Sequence, residues 1–201
     1  MPNELTVSKS QEGDVLANAV MDLVLHVPPT REQAVEHPAL RAREIGRHAA
    51  RSASMTAGSL ALPPGLLGWL TVLPEMMAVW KIQAQMVSDI AGVYGQSHTL
   101  GREQMLYCLF KQVSAQLLRD LAVRVGERVL LQKLSSQALQ ALAKKLGVQL
   151  TQNILKKGAS RLVPLIGAIG VGAYAYADTM QVAKNAVSLF ESLTVTESTE
   201  K

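Results

Sequence analysis

Sixteen consecutive uncharged residues, LVPLIGAIGVGAYAYA, lie between Arg161 and Asp178, and three of them are glycine. Few structures accept such a run: a bilayer span, a glycine loop around a phosphate, or a helix packed very closely on a neighbour. The run falls short of the roughly 20 apolar residues that a span needs. Its GAIGVG core lacks the G-x-G-x-x-G spacing, and no strand pattern precedes it. Pro164 suits the first turn of a helix, and helical phase continues past Asp178. Along that phase Ile166, Ile169, Ala173, Tyr176, Met180 and Val187 form one stripe, and Ala168, Gly172, Ala175, Thr179 and Ala183 form another of small residues only. Small residues at spacings of three and four let a second backbone approach closely. The segment therefore predicts a close-packing helix, its small face set against the apolar helix over Pro74 to Tyr94.

That second helix is the other strong pattern. Leu73, Met77, Trp80, Ala84, Val87, Ala91 and Tyr94 follow spacings of four and three, and Val79, Ile82, Met86, Ile90 and Val93 cover a second face. Only Lys81, Gln85, Ser88 and Asp89 make a polar strip, so the helix belongs at the centre of a core. Pro74 is expected in its first turn, with Glu75 at the positive end of the macrodipole. No charge occurs between Arg51 and Glu75, but Pro63-Pro64-Gly65 interrupts that stretch. A tight corner followed by a short buried helix is expected there instead of a span.

Elsewhere the periodicity predicts a helix over Asp14 to Val27, closed by Pro28-Pro29, with Val15, Ala19, Leu23 and Val27 inward. A turn or short helix follows at TREQAVEHP, then a helix through ALRAREIGRHAARSAS. Beyond Gly101, a helix with Leu106, Phe110, Val113, Leu117 and Leu121 on one stripe bends or ends near Gly126. Two shorter helices complete the chain: one capped by Ser135 or Ser136 and stopped by Gly147, the next stopped at Gly158. Aromatics are only 4% of the 201 residues, a mixture that favours helices over sheet. The fold class expected is all-α: a compact multi-helix bundle with a central apolar helix and a C-terminal glycine-rich helix. Residues 13–192 read as one domain, with polar tails at 1–12 and 193–201.

Charge is unevenly placed. Residues 1–101 hold 7 Lys/Arg and 9 Asp/Glu, residues 102–161 hold 11 and 3, and residues 162–201 hold 2 and 4, giving −2, +8 and −2. A basic middle suits an acidic partner surface, and equally a set of solvated helix faces. Arg43, Arg47 and Arg51 recur every four residues, which aligns three guanidinium groups on one ridge. Lys144-Lys145 and Lys156-Lys157 read as charges near helix C-termini, which accounts for part of the excess without a ligand.

Catalytic and metal-binding patterns are missing from the sequence. His26, His37, His48 and His98 belong to no HExxH or CxxC motif, so no metal or other cofactor is expected. Cys108, the one cysteine, sits among Leu106, Tyr107, Leu109 and Phe110, where a thiol is a small buried hydrophobe. Glu75 and Asp89 are too far apart on one helix to act on one bond. Few aromatics accompany the basic segment, and nucleic acid is not expected as a partner. The N-terminus has neither a basic n-region nor an apolar h-region, which implies a chain that stays in the cytoplasm or on the membrane face turned to it.

ALPPGLLGWLTVLPEMMAVWKIQAQMVSDIAGVYG together with LAKKLGVQLTQNILKKGASRLVPLIGAIGVGAYAYADTMQVAKNAVSLF resembles the EcsC family of bacterial proteins. The carriers are the proline-bounded apolar stretch, the Tyr94-Gly95 helix end, Lys145-Leu146-Gly147, and Pro164 to Ala168 opening the glycine-rich helix. The resemblance spans roughly residues 40 to 190. The chain departs from it at Tyr174, Tyr176 and Asp178, where a polar Asn-containing stretch is expected. It implies an α-helical domain, sometimes linked to membranes, with no catalytic residues. The function expected is non-enzymatic binding of an anionic membrane surface or a membrane-associated protein. Arg43, Arg47, Arg51, Lys144, Lys145, Lys156 and Lys157 would meet headgroups, with Trp69 and Trp80 in apolar contact. The alternative is a helical enzyme or a small-molecule or lipid-binding protein, with an apolar cavity between the Pro74–Tyr94 and glycine-rich helices.

Overall fold

The computed structural model describes the backbone of residues 3–60, 69–111, 122–125, 128–131, 135–158 and 164–199. Side chains are described for residues 14–58, 74, 76–111, 135–150, 152 and 170–195. The chain is all-α, with six helices among the described residues: α1 (Asn3–Leu25), α2 (Pro38–Leu60), α3 (Trp69–Val93), α4 (Arg102–Phe110), α5 (Ser136–Gly158) and α6 (Pro164–Thr199). A short antiparallel ribbon, β1 (Ala122–Val125) and β2 (Arg128–Leu131), lies between α4 and α5, with Ala122 opposite Leu131 and Val125 opposite Arg128.

Helix α3 is central, as its two apolar faces require. Trp80, Ala84, Met86, Val87, Ile90, Ala91 and Val93 are buried in one core with residues of all the other helices. Trp80 meets Phe110 of α4 edge to face, ring centroids 5.3 Å apart, a favoured geometry for aromatic pairs. Ser88 is buried rather than part of a polar strip, and its hydroxyl has no hydrogen-bond partner. The helix ends as the Tyr94-Gly95 pair predicts. The Gln96 N–H reaches Ala91 O (2.8 Å) and the Gly95 N–H reaches Gly92 O (2.9 Å). Gly95 carries the left-handed φ of 71° that this stop needs.

Several boundaries differ from the sequence reading. Helix α3 begins at Trp69, so Pro74 lies inside it. A proline at the sixth helical position withdraws the hydrogen bond back to the first turn, and its ring crowds the carbonyl four residues before it. The Pro63-Pro64-Gly65 corner falls outside the described residues. Residues 28–37 are not helical; they run alongside the second half of α3, from Pro29 O at Gln85 Nε2 (3.0 Å) to the Val35 N–H donating to Val93 O at 3.2 Å. The backbone over 122–125 and 128–131 is strand where a helix, bent or ended near Gly126, was expected, and AVRV and RVLL have the β-branched content that favours it.

Gly147 stops nothing: α5 runs through it to Gly158, and Gly147 is buried. The expected cap is present, Ser135 Oγ accepting the Ala138 N–H at 3.1 Å. On α1 the buried set is Leu16, Ala17, Val20, Leu23 and Val24, one position round from the predicted stripe, and Val15 is exposed. Segments 3–12 and 193–199 continue α1 and α6 as helix.

The small face of α6 is buried at Gly172, Ala175, Thr179 and Ala183, but its principal neighbour is α2 and not α3. A Cβ at Gly172 would stand 3.1 Å from the Ser54 carbonyl oxygen, and one at Gly46 would stand 3.0 Å from Ala183 Cβ. Ala53 and Ala57 of α2 join Ala175 and Val79 of α3 in a small cluster. Small residues on both helices make this approach possible. Ala173 and Tyr176, assigned to the other stripe, are exposed. Ala168 lies on α6 with its side chain outside the described residues.

Candidate functional site

Helix α2 starts with Pro38 at its first position and carries Ala42, Ala49, Ala50, Ala53 and Ala57 inward, so the arginines of its i, i+4 series point out. Arg43, Arg47 and Arg51 are all exposed, and none of them is in an ion pair among the described residues. The Arg47 Nε–H donates to the Arg43 carbonyl oxygen at 3.3 Å, which lays one guanidinium along the ridge. Arg41, on the same helix, shows the opposite state. Its Nη2 meets Glu32 Oε1 at 2.7 Å and its Nη1 meets Glu44 Oε2 at 3.1 Å. Hydrogen bonds to Glu32 and then to Glu44 raise its pKa further above the ordinary arginine range. One guanidinium of α2 is therefore neutralised by carboxylates and three are not.

Two close approaches fix how α6 lies beside this ridge. Gly46 meets Ala183 and Gly172 meets Ser54, so the two helices run antiparallel. Counting residues from those two contacts puts Arg51 near the level of Tyr176, Arg47 near that of Gln181 and Val182, and Arg43 near that of Val187. Lys184 falls between Arg43 and Arg47, exposed and in no ion pair among the described residues. Met55, 74% exposed, continues the ridge one turn past Arg51, and Tyr176 is 37% exposed. Arg43 is close enough to the Tyr94 hydroxyl to act on it electrostatically, and that hydroxyl donates to Glu191 of α6 at 2.9 Å. Burial, then this hydrogen bond, raise the phenol above its usual pKa. The outcome is a surface seam with cations along it and a tyrosine and a methionine at one end.

The remaining residues expected at the site do not gather here. Lys144 and Lys145 are exposed in the middle of α5, where no helix terminus needs their charge, and Lys144 Nζ lies 3.5 Å from Asp14 Oδ1 of α1. Helix α5 packs on α1, whereas α2 packs on α6 and α3. Lys156, Lys157 and Trp69 have side chains outside the described residues. Trp80, expected in apolar contact with a partner, is a core residue. Lys184 and Met55 escaped the sequence reading because neither repeats on its own helix face; only the α2–α6 register gives them neighbours.

The expected cavity between α3 and α6 is replaced, among the described residues, by a polar tie. Buried Gln83 donates through Nε2 to Asp178 Oδ2 at 2.8 Å and to the buried Thr179 Oγ1 at 3.1 Å. Lys81 is exposed, and Asp89 faces elsewhere, accepting from Thr30 Oγ1 (2.7 Å) and Gln85 Nε2 (2.9 Å). Those two bonds lie beside an open groove of about 670 Å³ between α3 and the strap at residues 29–35, where Glu32, Gln85 and Asp89 are already hydrogen-bonded within the protein. Cys108 is fully buried, and burial pushes its thiol pKa up to about 12, the reverse of what a nucleophile requires. Among the described residues no three His, Cys, Asp or Glu side chains are placed to hold a metal ion.

No family model, no curated protein and no solved structure matches the chain.

Proposed function

We propose that this chain is a non-enzymatic helical domain of the EcsC type, acting at the cytoplasmic face of a membrane by binding its anionic surface or a protein held there. The observation that carries the reading is the ridge of Arg43, Arg47 and Arg51, exposed and without carboxylate partners among the described residues, on a helix whose Arg41 is paired twice. Solvated lone cations contribute little to a fold, whereas each is worth about 1 kcal/mol beside an anionic lipid surface. Three or four in one seam support reversible attachment. No helix among the described residues is long and apolar enough to cross a membrane, and the attachment proposed is to its surface.

The experiment is co-sedimentation with vesicles of phosphatidylglycerol and phosphatidylcholine against vesicles of phosphatidylcholine alone. The expected result is pelleting with the first and not with the second. Equal recovery in the supernatant with both would overturn membrane binding.

A further inference from the structure

We infer that the domain docks on a bilayer containing anionic phospholipid through the α2–α6 seam and not through Lys144-Lys145: Arg43, Arg47, Arg51 and Lys184 lie at headgroup level, and Tyr176 and Met55 enter the headgroup–acyl boundary. The inference rests on the membrane-surface reading above and gives it a face and an orientation.

Three observations carry it. The first is charge: all four cations are exposed and free of ion pairs among the described residues, while Lys144 on the competing face already lies near Asp14. The second is geometry. Arg43 to Arg51 covers eight helical steps, about 12 Å of axis, and the antiparallel partner sets Lys184 alongside, so the cations meet a plane together instead of one after another. The third is the character of the seam's end. Methionine and tyrosine exposed beside arginine are what an interfacial helix presents, with the charge in the headgroups and the amphipathic ring at their lower boundary. An acidic protein would answer the cations equally well but gives no reason for Met55 to be three-quarters bare.

The test uses the full chain and the same two vesicle compositions. At about 1 kcal/mol per cation, each Arg→Gln change is expected to weaken partitioning about fivefold, and R43Q/R47Q/R51Q about a hundredfold. K144Q/K145Q is expected to stay within about twofold of the unaltered chain. A polarity-sensitive fluorophore on Met55→Cys, with Cys108 buried against labelling, is expected to shift to the blue only with anionic vesicles. Circular dichroism checks that each exposed substitution keeps the helices. Should the unaltered chain bind anionic vesicles while R43Q/R47Q/R51Q binds equally well, the seam is the wrong face although the membrane reading stands. Should the unaltered chain ignore both vesicles yet bind immobilised polyglutamate through the arginines, the surface is a protein-docking one and the bilayer is overturned.

Discussion

Gly170 and Gly172 are two residues apart on α6 and have opposite reasons to be glycine. A Cβ at Gly170 would touch nothing within 4 Å, whereas at Gly172 it would press on the Ser54 carbonyl and hydroxyl at 3.1 and 3.2 Å. Gly170→Ala is therefore expected to stabilise the fold by up to about 1 kcal/mol through helix propensity. Gly172→Val is expected to cost about 2–3 kcal/mol by forcing α2 away; urea denaturation midpoints separate the two. Cys108 supports a second prediction. Burial carries its pKa from 9.0 to about 12, so between those values the native thiol keeps its proton while the unfolded one loses it. The stability this contributes is fully present below pH 9 and lost as pH rises through the window, by about 1.4 kcal/mol per pH unit. The stability difference between the unaltered protein and Cys108→Ala should shrink with that slope, and a flat difference would contradict the burial. Gly172 and Cys108 were legible as small packing residues; the sequence could not say what Gly172 packs against.

At the scale of elements, Gln83 joins α3 to α6 through two donated hydrogen bonds, one to a fully buried hydroxyl. Gln83→Leu removes the donor from both acceptors and is expected to cost about 1–3 kcal/mol in urea unfolding. Gln85→Leu, two residues on and exposed, should cost under about 1 kcal/mol although it too gives up hydrogen bonds, to Pro29 O and Asp89. Water replaces the lost partners at the second position, whereas at the first it cannot reach the fully buried Thr179 hydroxyl. Periodicity marked α3 and α6 as apolar helices, and Gly95 marked the end of α3, because an αL stop is a local property. It failed at Gly147, where the same residue type is buried and the helix continues. Helix propensity charges a glycine only about 1 kcal/mol, which tertiary contact offsets. The β1–β2 ribbon was missed because Leu and Arg at three- and four-residue spacings imitate an amphipathic helix.

For the whole molecule, a surface held by cations at headgroup level implies sensitivity to salt. Raising ionic strength from about 0.15 to 1 M shortens the screening length from about 8 to 3 Å. Protein bound to phosphatidylglycerol vesicles should return to the supernatant over that range; retention at high salt would point to apolar insertion instead. Part of the seam was legible beforehand: Arg43, Arg47 and Arg51 stack by their spacing alone. Its other wall was not, since Lys184, Tyr176 and Met55 have no relation to those arginines until α6 is laid antiparallel on α2. Nor could the sequence separate Arg41 from its neighbours, because the partner that neutralises it, Glu32, comes from a strap outside the helix. The sequence by itself determined the all-α class, the central place of α3, the close-packing nature of α6 and the buried Cys108, since each follows from residue types repeated at a helical period. The tertiary structure decided which helix receives the small face, which arginines remain unpaired and which lysine joins them. Those are relations between segments far apart in the chain, and local periodicity holds no information about the register in which two helices meet.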